Sequence, residues 1–195
     1  MVLIAAGVLT IRFIFGGSED SWICVDDQWV KHGNPSAPKP ITQCGTEKKE
    51  INSFDDCLTA GSPAMESYPR QCRWGNKIFV EDIGDELEKI DLIRVDSPKP
   101  NQTVESPLQI TGQARGYWFF EASFPVKLVA EDGEILAMGI AQAQTDWMTE
   151  DFVAFELELT FDPANQKSGT LILERDNPSG LPENADELQI PVYFQ

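Results

Sequence analysis

The chain has little of the chemistry that most catalytic sites need. Its 195 residues include a single histidine, His32, which excludes any site that requires two imidazoles, such as a zincin motif. No G-x-S-x-G element accompanies that histidine, and no glycine-rich phosphate loop occurs, so the sequence supports neither a hydrolytic triad nor a nucleotide site. We therefore expect a non-enzymatic protein that holds no cofactor and no metal ion.

Positive charge is also scarce. The sequence contains 15 Lys and Arg against 32 Asp and Glu, which gives a formal net charge of −17 and a pI near 4.3. A surface with this charge repels phosphate groups, which argues against nucleic acid as a partner. Because 42% of the residues are apolar, the chain can still bury a core.

Only one apolar run is long enough to be a candidate membrane-spanning segment. Residues 1–17 are apolar except for Thr10 and Arg12. As a helix this run spans about 25 Å, slightly less than the roughly 30 Å of a hydrocarbon core. A basic n-region and a small-x-small cleavage site are both missing, so we predict an uncleaved, single-pass membrane anchor over 1–17. A buried N-terminal strand or helix and a cleaved signal peptide are the alternatives.

The four cysteines all lie in the first 72 residues. They are Cys24, Cys44, Cys57 and Cys72, an even number in a segment rich in Pro, Gly, Asn and Ser. Four cysteines allow three connectivities, and sequential pairing closes loops of about 20 and 15 residues, each able to contribute roughly 3 kcal/mol. Zinc is the alternative, but its ligands usually come as closely spaced C-x2-C pairs. We predict two small disulfide-stapled α+β modules, 18–50 and 51–83, in an extracytoplasmic compartment.

Local signals refine this region. The acidic residues Asp55 and Asp56 favour a helical first turn, and Gly75-Asn76 predicts a tight hairpin. The charged stretch that follows predicts a linker or one helical turn, and we assign 84–91 as a linker.

From residue 92 onward the pattern becomes all-β, which makes the whole chain mainly β. Alternation of Phe and Leu with Glu and Thr over 155–161 predicts a strand with one buried face, and Asp132-Gly133 predicts a type I′ hairpin. The number and spacing of the strands predict a two-sheet β-sandwich over 92–195. The seven predicted strands cover 92–95, 108–114, 126–131, 135–144, 155–161, 170–174 and 188–194.

Four consecutive aromatic residues, Tyr117 to Phe120, precede Glu121. A strand points alternate side chains to opposite faces, so two of these rings are expected to point away from the core. We take Tyr117, Trp118, Phe119 and Glu121 as the candidate binding surface. The alternative is that the cluster packs within or between domains.

Several short motifs in the C-terminal part occur together. They are Ile93-x-Val95, Ser97-Pro98, Val104-x-Ser106-Pro107, Ile110-x-Gly112-x-Ala114 and Ile190-Pro191-Val192. With these motifs, most of 93–195 resembles the immunoglobulin-like domain of bacterial spore germination, a Gmad domain. Residues 54–81, with the core ESYPRQC from Glu66 to Cys72, are similar to a small cysteine module of exported bacterial proteins.

These resemblances imply a cell-envelope protein whose sandwich is a binding or structural module and contributes no catalytic residues. We expect a membrane-anchored, extracytoplasmic protein whose immunoglobulin-like domain binds a cell-wall polymer or an envelope protein. The alternative is a protease-inhibitor-like or enzyme-accessory activity in the Cys57–Cys72 module, with a rigid loop over 66–70 that enters a protease cleft.

Overall fold

The computed structural model describes residues 20–26, 28–42, 44 and 50–195. The chain divides into two compact units, with the boundary between Asn52 and Ser53. The predicted membrane anchor, residues 1–17, lies outside the described residues. Within the described part, none of the helices has both the length and the apolar character needed to cross a membrane.

The first unit contains a hairpin and a disulfide. Its strands, β1 (Ser21–Val25) and β2 (Gln28–His32), pair antiparallel, and His32 is exposed at the end of β2. The indole nitrogens of Trp22 and Trp29 donate hydrogen bonds of 2.9 and 2.8 Å to backbone carbonyls of the following loop. The disulfide Cys24–Cys44 confirms the predicted pairing.

The second unit begins with the predicted cysteine module. Its elements are α1 (Phe54–Thr59), β3 (Ala64–Met65), β4 (Gln71–Trp74) and β5 (Lys77–Val80), with the strands in the order β3-β4-β5. The Ser53 side chain caps α1 by accepting a hydrogen bond of 3.0 Å from the Asp56 amide. Gly75 has φ 58° in the tight β4–β5 hairpin, which confirms the predicted turn. Cys57 and Cys72 are bonded to each other and fully buried. Because all four cysteines are in disulfides, the zinc alternative is wrong.

A helical turn and a large sheet complete the second unit. The sheet confirms all seven predicted strands within a few residues and adds β7, whose two residues are too short to give a sequence signal. The elements are α2 (Glu86–Lys89), β6 (Ile93–Ser97), β7 (Thr103–Val104), β8 (Leu108–Arg115), β9 (Ser123–Ala130), β10 (Ile135–Ala143), β11 (Phe152–Leu159), β12 (Ser168–Glu174) and β13 (Glu187–Phe194). The strand order is β6-β8-β11-β10-β9-β12-β13-β7.

The sheet is continuous and curls around one core. Strands β10 and β11 pair at two positions only, Gln142 with Glu156 and Ala143 with Phe155, and this short contact joins the two halves of the sheet. Buried side chains from both halves form one cluster, in which the rings of Phe124 on β9 and Phe155 on β11 lie 5.0 Å apart. The mainly β class is therefore confirmed, whereas the two separate sheets of the predicted sandwich are not.

The β9–β10 hairpin differs from its prediction in the type of turn. The Ala130 amide donates to the Glu134 carbonyl, and the Gly133 amide donates to the Ala130 carbonyl, so the loop has three residues. Gly133 has φ 89°, but Asp132 does not have a positive φ, which a type I′ turn requires at both central residues. The predicted hairpin is confirmed, and its predicted turn type is wrong.

The segment 84–91 lies against strand β13. The Asp85 amide donates a hydrogen bond of 3.3 Å to the Gln189 carbonyl, and the Gln189 amide donates one of 2.7 Å to the Asp85 carboxylate. Lys89 forms an ion pair of 2.5 Å with Asp186, which raises the pKa of Lys89. The helical turn α2 that these contacts hold was one of the two structures predicted for this stretch.

Removal of the buried disulfide should destabilise the second unit. Replacing Cys57 and Cys72 together with Ala is expected to lower its free energy of unfolding by about 3 kcal/mol, since the bridge closes a loop of about 15 residues. Calorimetry of the oxidised proteins measures this difference. The matched control, Cys24→Ala with Cys44→Ala, removes the bridge of the first unit and should leave the transition of the second unit unchanged. An equal loss of stability of the second unit in both double variants would contradict the prediction.

Candidate functional site in the β8–β9 loop

The connection between β8 and β9, residues 116–122, is called the β8–β9 loop below. It starts with a 3-10 turn, Gly116–Trp118, in which the Phe119 amide donates 3.2 Å to the Gly116 carbonyl. It ends with a tight turn, because Phe120 and Ser123 exchange two backbone hydrogen bonds of 3.0 and 3.1 Å. The backbone of the loop is therefore defined at both ends by its own hydrogen bonds.

The two central residues of the tight turn have an unfavourable backbone conformation. Glu121 has φ 50° and Ala122 has φ 62°, a region that Gly and Asn usually occupy in two-residue turns. Each such residue costs on the order of 1 kcal/mol, and residues of this kind concentrate at functional sites. This local strain marks the loop as a candidate functional site.

Two aromatic side chains fix the loop in the core. Trp118 is fully buried and Phe119 is 3% exposed, and the Phe119 ring lies 5.2 Å from the ring of Phe124. Gly116 permits this position, because a β-carbon there would lie 2.0 Å from the Thr149 carbonyl oxygen. The buried Trp118 Nε1 has no hydrogen-bond partner among the described residues. Trp118 and Phe119, both predicted to belong to the binding surface, are therefore wrongly assigned.

The neighbouring side chains remain on the surface. Tyr117 is 46% exposed, Phe120 is 41% exposed, and Glu121 is also exposed. The guanidinium of Arg175 lies 5.8 Å from the centre of the Tyr117 ring, and Arg175 Nε donates 3.2 Å to the Tyr117 carbonyl. The loop thus exposes two aromatic rings and one carboxylate, and the guanidinium of Arg175 lies beside them.

The structure changes the predicted set of site residues in two ways. The number of outward-pointing rings is two, as predicted, but they are Tyr117 and Phe120, because the segment is a pair of turns and does not alternate like a strand. Arg175, which follows β12, is a further residue of the site, because the folded chain places it beside Tyr117. No sequence signal connects Arg175 with Tyr117, since they are 58 residues apart.

A second feature is a cleft of about 490 Å³ between the cysteine module and strands β12 and β13. One wall contains Glu81, which is 8% exposed and accepts hydrogen bonds from Arg70 Nε at 2.8 Å and Asn101 Nδ2 at 3.2 Å. These contacts, with the hydrogen bond from Arg70 the strongest influence, lower the pKa of Glu81. On the opposite wall, burial and the nearby Asp55 carboxylate raise the pKa of Tyr193.

The loop over 66–70, the basis of the protease-inhibitor alternative, is held by contacts within the second unit. Arg70 pairs with Glu81 and lies 5.4 Å above the Phe54 ring. The Tyr68 hydroxyl donates to the carboxylate of Glu86, whose pKa is raised by burial. The Tyr68 contact fastens the cysteine module to α2, whereas both Arg70 contacts lie within the module.

No cluster of three or more His, Cys, Asp or Glu side chains in the described residues is arranged to hold a metal ion. The second unit thus combines a curled, mainly β sheet with a surface loop that exposes Tyr117 and Phe120.

The family model of Gmad2, described as the immunoglobulin-like domain of bacterial spore germination, matches residues 92–180. Residues 92–180 are therefore similar to the immunoglobulin-like domain of this family, and the matched segment contains strands β6 to β12 and the β8–β9 loop. No curated protein and no solved structure matches the chain. The similarity of residues 54–81 to a cysteine module of exported proteins stays a prediction.

The Glu81 contacts predict a specific pH dependence of stability. Because the folded protein holds the pKa of Glu81 below its ordinary value of about 4.3, the stabilisation is complete above that value and is lost as pH falls through the lowered folded pKa. The Glu81→Gln variant should be less stable than the parent protein at neutral pH, and the difference should shrink as the pH falls below about 4.3.

Urea unfolding at a series of pH values measures this difference. The control is Glu183→Gln, which removes a carboxylate from an exposed position and should behave like the parent protein. A Glu81→Gln deficit that stays constant across the acid range would show that the Glu81 carboxylate is not the titrating group.

Proposed function

We propose that this protein is a non-catalytic, extracytoplasmic protein of the bacterial cell envelope. In this proposal, the immunoglobulin-like domain binds a cell-wall polymer or another envelope component through the β8–β9 loop. The family match and the two disulfides support an extracellular binding module, because disulfides form and persist outside the reducing cytosol.

The observation that carries the proposal is that, of four consecutive aromatic residues, two are buried in the core and two are exposed at the surface. Trp118 and Phe119 are buried and hold the backbone, while Tyr117 and Phe120 keep more than 40% of their surface in water. Exposed aromatic rings on a backbone that is already ordered give contact area with little loss of conformational entropy on binding. Glu121 and Arg175 add hydrogen-bonding groups that recognise the polar parts of a saccharide or peptide.

The proposal includes anchorage of the protein by its N-terminal apolar segment. Residues 1–17 contain one charged residue, Arg12, and no acidic residue, as expected for a segment that stays in a membrane. The rest of the chain, with its disulfides, then faces away from the cytoplasm as a single-pass protein.

Co-sedimentation with purified bacterial wall sacculi tests the proposal. The full chain is kept in mild detergent and tested at low and moderate salt, because a chain with a net charge of −17 is repelled by anionic wall polymers unless salt screens the charge. We expect a saturable bound fraction that falls about tenfold when Tyr117 and Phe120 are both replaced by Ala.

The control variant is Ile78→Ala, which removes an apolar side chain that is 49% exposed in the cysteine module and should leave binding unchanged. Trp118→Ala is unsuitable as a test, because it creates a cavity in the core and lowers stability. If the parent protein and the Tyr117→Ala, Phe120→Ala double variant bind sacculi equally well, the β8–β9 loop is not the binding site. Absence of binding at both salt concentrations would exclude wall polymers and leave an envelope protein as the partner.

A further inference from the structure

Strand β10 has a free edge along most of its length. It pairs with β9 from Ile135 to Gln142, but on its other side it pairs with β11 only at Gln142 and Ala143. Beyond this point β11 separates from β10, and the side chains of Leu157 and Leu159 lie over Gly139 on the core side. Residues 135–141 therefore have no strand on that side within the described sheet.

The hydrogen-bond pattern shows which backbone groups face the free edge. The Ala143 amide donates 2.8 Å to the Ala122 carbonyl next to β9, whereas the Gln144 amide donates 2.8 Å to the Ala154 carbonyl next to β11. Neighbouring residues of a strand direct their backbone groups to opposite sides. The N–H and C=O groups of Met138 and Ile140 consequently point to the free edge, as those of Gln142 point to β11.

The side chains along this edge are apolar and exposed. Ile135, Met138 and Ile140 are 51%, 62% and 50% exposed, and the segment 135–144 contains no charged residue and no proline. Natural proteins usually protect an edge strand with charges, proline or a covering element, because an open edge is a template for another strand. Strand β10 has neither charge nor proline.

Acidic residues lie at both ends of the free edge. Glu131, Asp132 and Glu134 are exposed in the β9–β10 turn at one end, and Glu156 is exposed opposite Gln142 at the other. A second copy of this chain carries the same charge of −17 and is repelled, whereas a partner with basic groups is attracted. Charge complementarity thus favours a cationic partner strand over self-association.

We propose that the free edge of β10 binds an extended peptide segment of a partner protein as an added strand. The segment is apolar at alternate positions, where it contacts Met138 and Ile140, and carries Lys or Arg at its ends, near the acidic residues. Main-chain hydrogen bonds to Met138 and Ile140 provide affinity, and the alternating side chains provide selectivity. This surface is separate in sequence from the β8–β9 loop and adds a peptide-binding activity to the proposed function.

Titration of the full chain with synthetic nonapeptides tests the proposal. The probe is acetylated and amidated KTVTVTVTK, and binding is followed by calorimetry and by the NMR signals of the Met138 and Ile140 amides. A peptide with the same side chains but an N-methyl group on every residue has no N–H group left on either edge to pair with β10, and ETVTVTVTE reverses the charge. We expect saturable binding of the first peptide, no measurable binding of the N-methylated one, and at least about tenfold weaker binding of the acidic one.

Two matched variants locate the site. Ile140→Lys places a charge at the edge and should weaken binding of KTVTVTVTK about tenfold, while Met148→Lys makes the same charge change at a loop residue and should leave the affinity within about twofold. Unfolding midpoints verify that both variants fold. The Tyr117→Ala, Phe120→Ala variant should bind the peptide normally, which separates this result from the outcome of the sacculus experiment.

Several results would overturn the proposal. Main-chain pairing tolerates many side chains, so a peptide of this kind should bind if the edge is open. Absence of KTVTVTVTK binding at about 1 mM would therefore overturn the proposal. Equal binding of the N-methylated peptide, or equal effects of Ile140→Lys and Met148→Lys, would show that the edge is not the site. A dimer in analytical ultracentrifugation that Ile140→Lys dissociates would assign the edge to a second copy instead.

Discussion

The curled sheet encloses a single core because β10 and β11 pair for two residues and then separate. This short contact lets the ring of Phe124 on one half meet that of Phe155 on the other, so both halves bury apolar surface against each other. A longer β10–β11 ladder would keep these strands side by side. Among the described strands, the same separation leaves the Met138 and Ile140 backbone groups without a neighbour, so the closure of the core and the open edge have one physical origin.

The core also determines what the β8–β9 loop can present. With Trp118 and Phe119 buried, the chain reaches the start of β9 only through a tight turn, and Glu121 and Ala122 occupy it with positive φ. Packing of the two buried rings offsets the cost of this turn. Tyr117 and Phe120 are exposed as a consequence of that arrangement, and Arg175 is brought to Tyr117 by the end of β12.

Features that depend on local residue order were predictable from the sequence. The alternation of Phe155, Leu157 and Leu159 with Glu residues gave a strand, Gly75-Asn76 gave a hairpin, and the cysteine spacing gave the favoured disulfide pairing. Features that depend on the folded chain were not. The alternation of a strand was used to interpret the four aromatic residues. Hydrogen bonds at both ends of the loop instead fold this segment into two turns, so that Phe120, and not Phe119, is exposed at the surface. The open edge depends on where two strands separate, and no residue pattern in β10 encodes that position.

Amide hydrogen exchange along β10 tests the central claim, that the curled sheet leaves this edge free, most directly. In a dilute sample of the full chain measured by NMR, the amides of Gly139 and Ala141, which face β9, should exchange slowly, and those of Met138 and Ile140 should exchange at rates close to those of exposed peptides. Alternating protection of this kind would support both the course of β11 and the free edge. Equal protection of Met138, Gly139, Ile140 and Ala141 would mean that another strand covers the edge, and it would contradict the account.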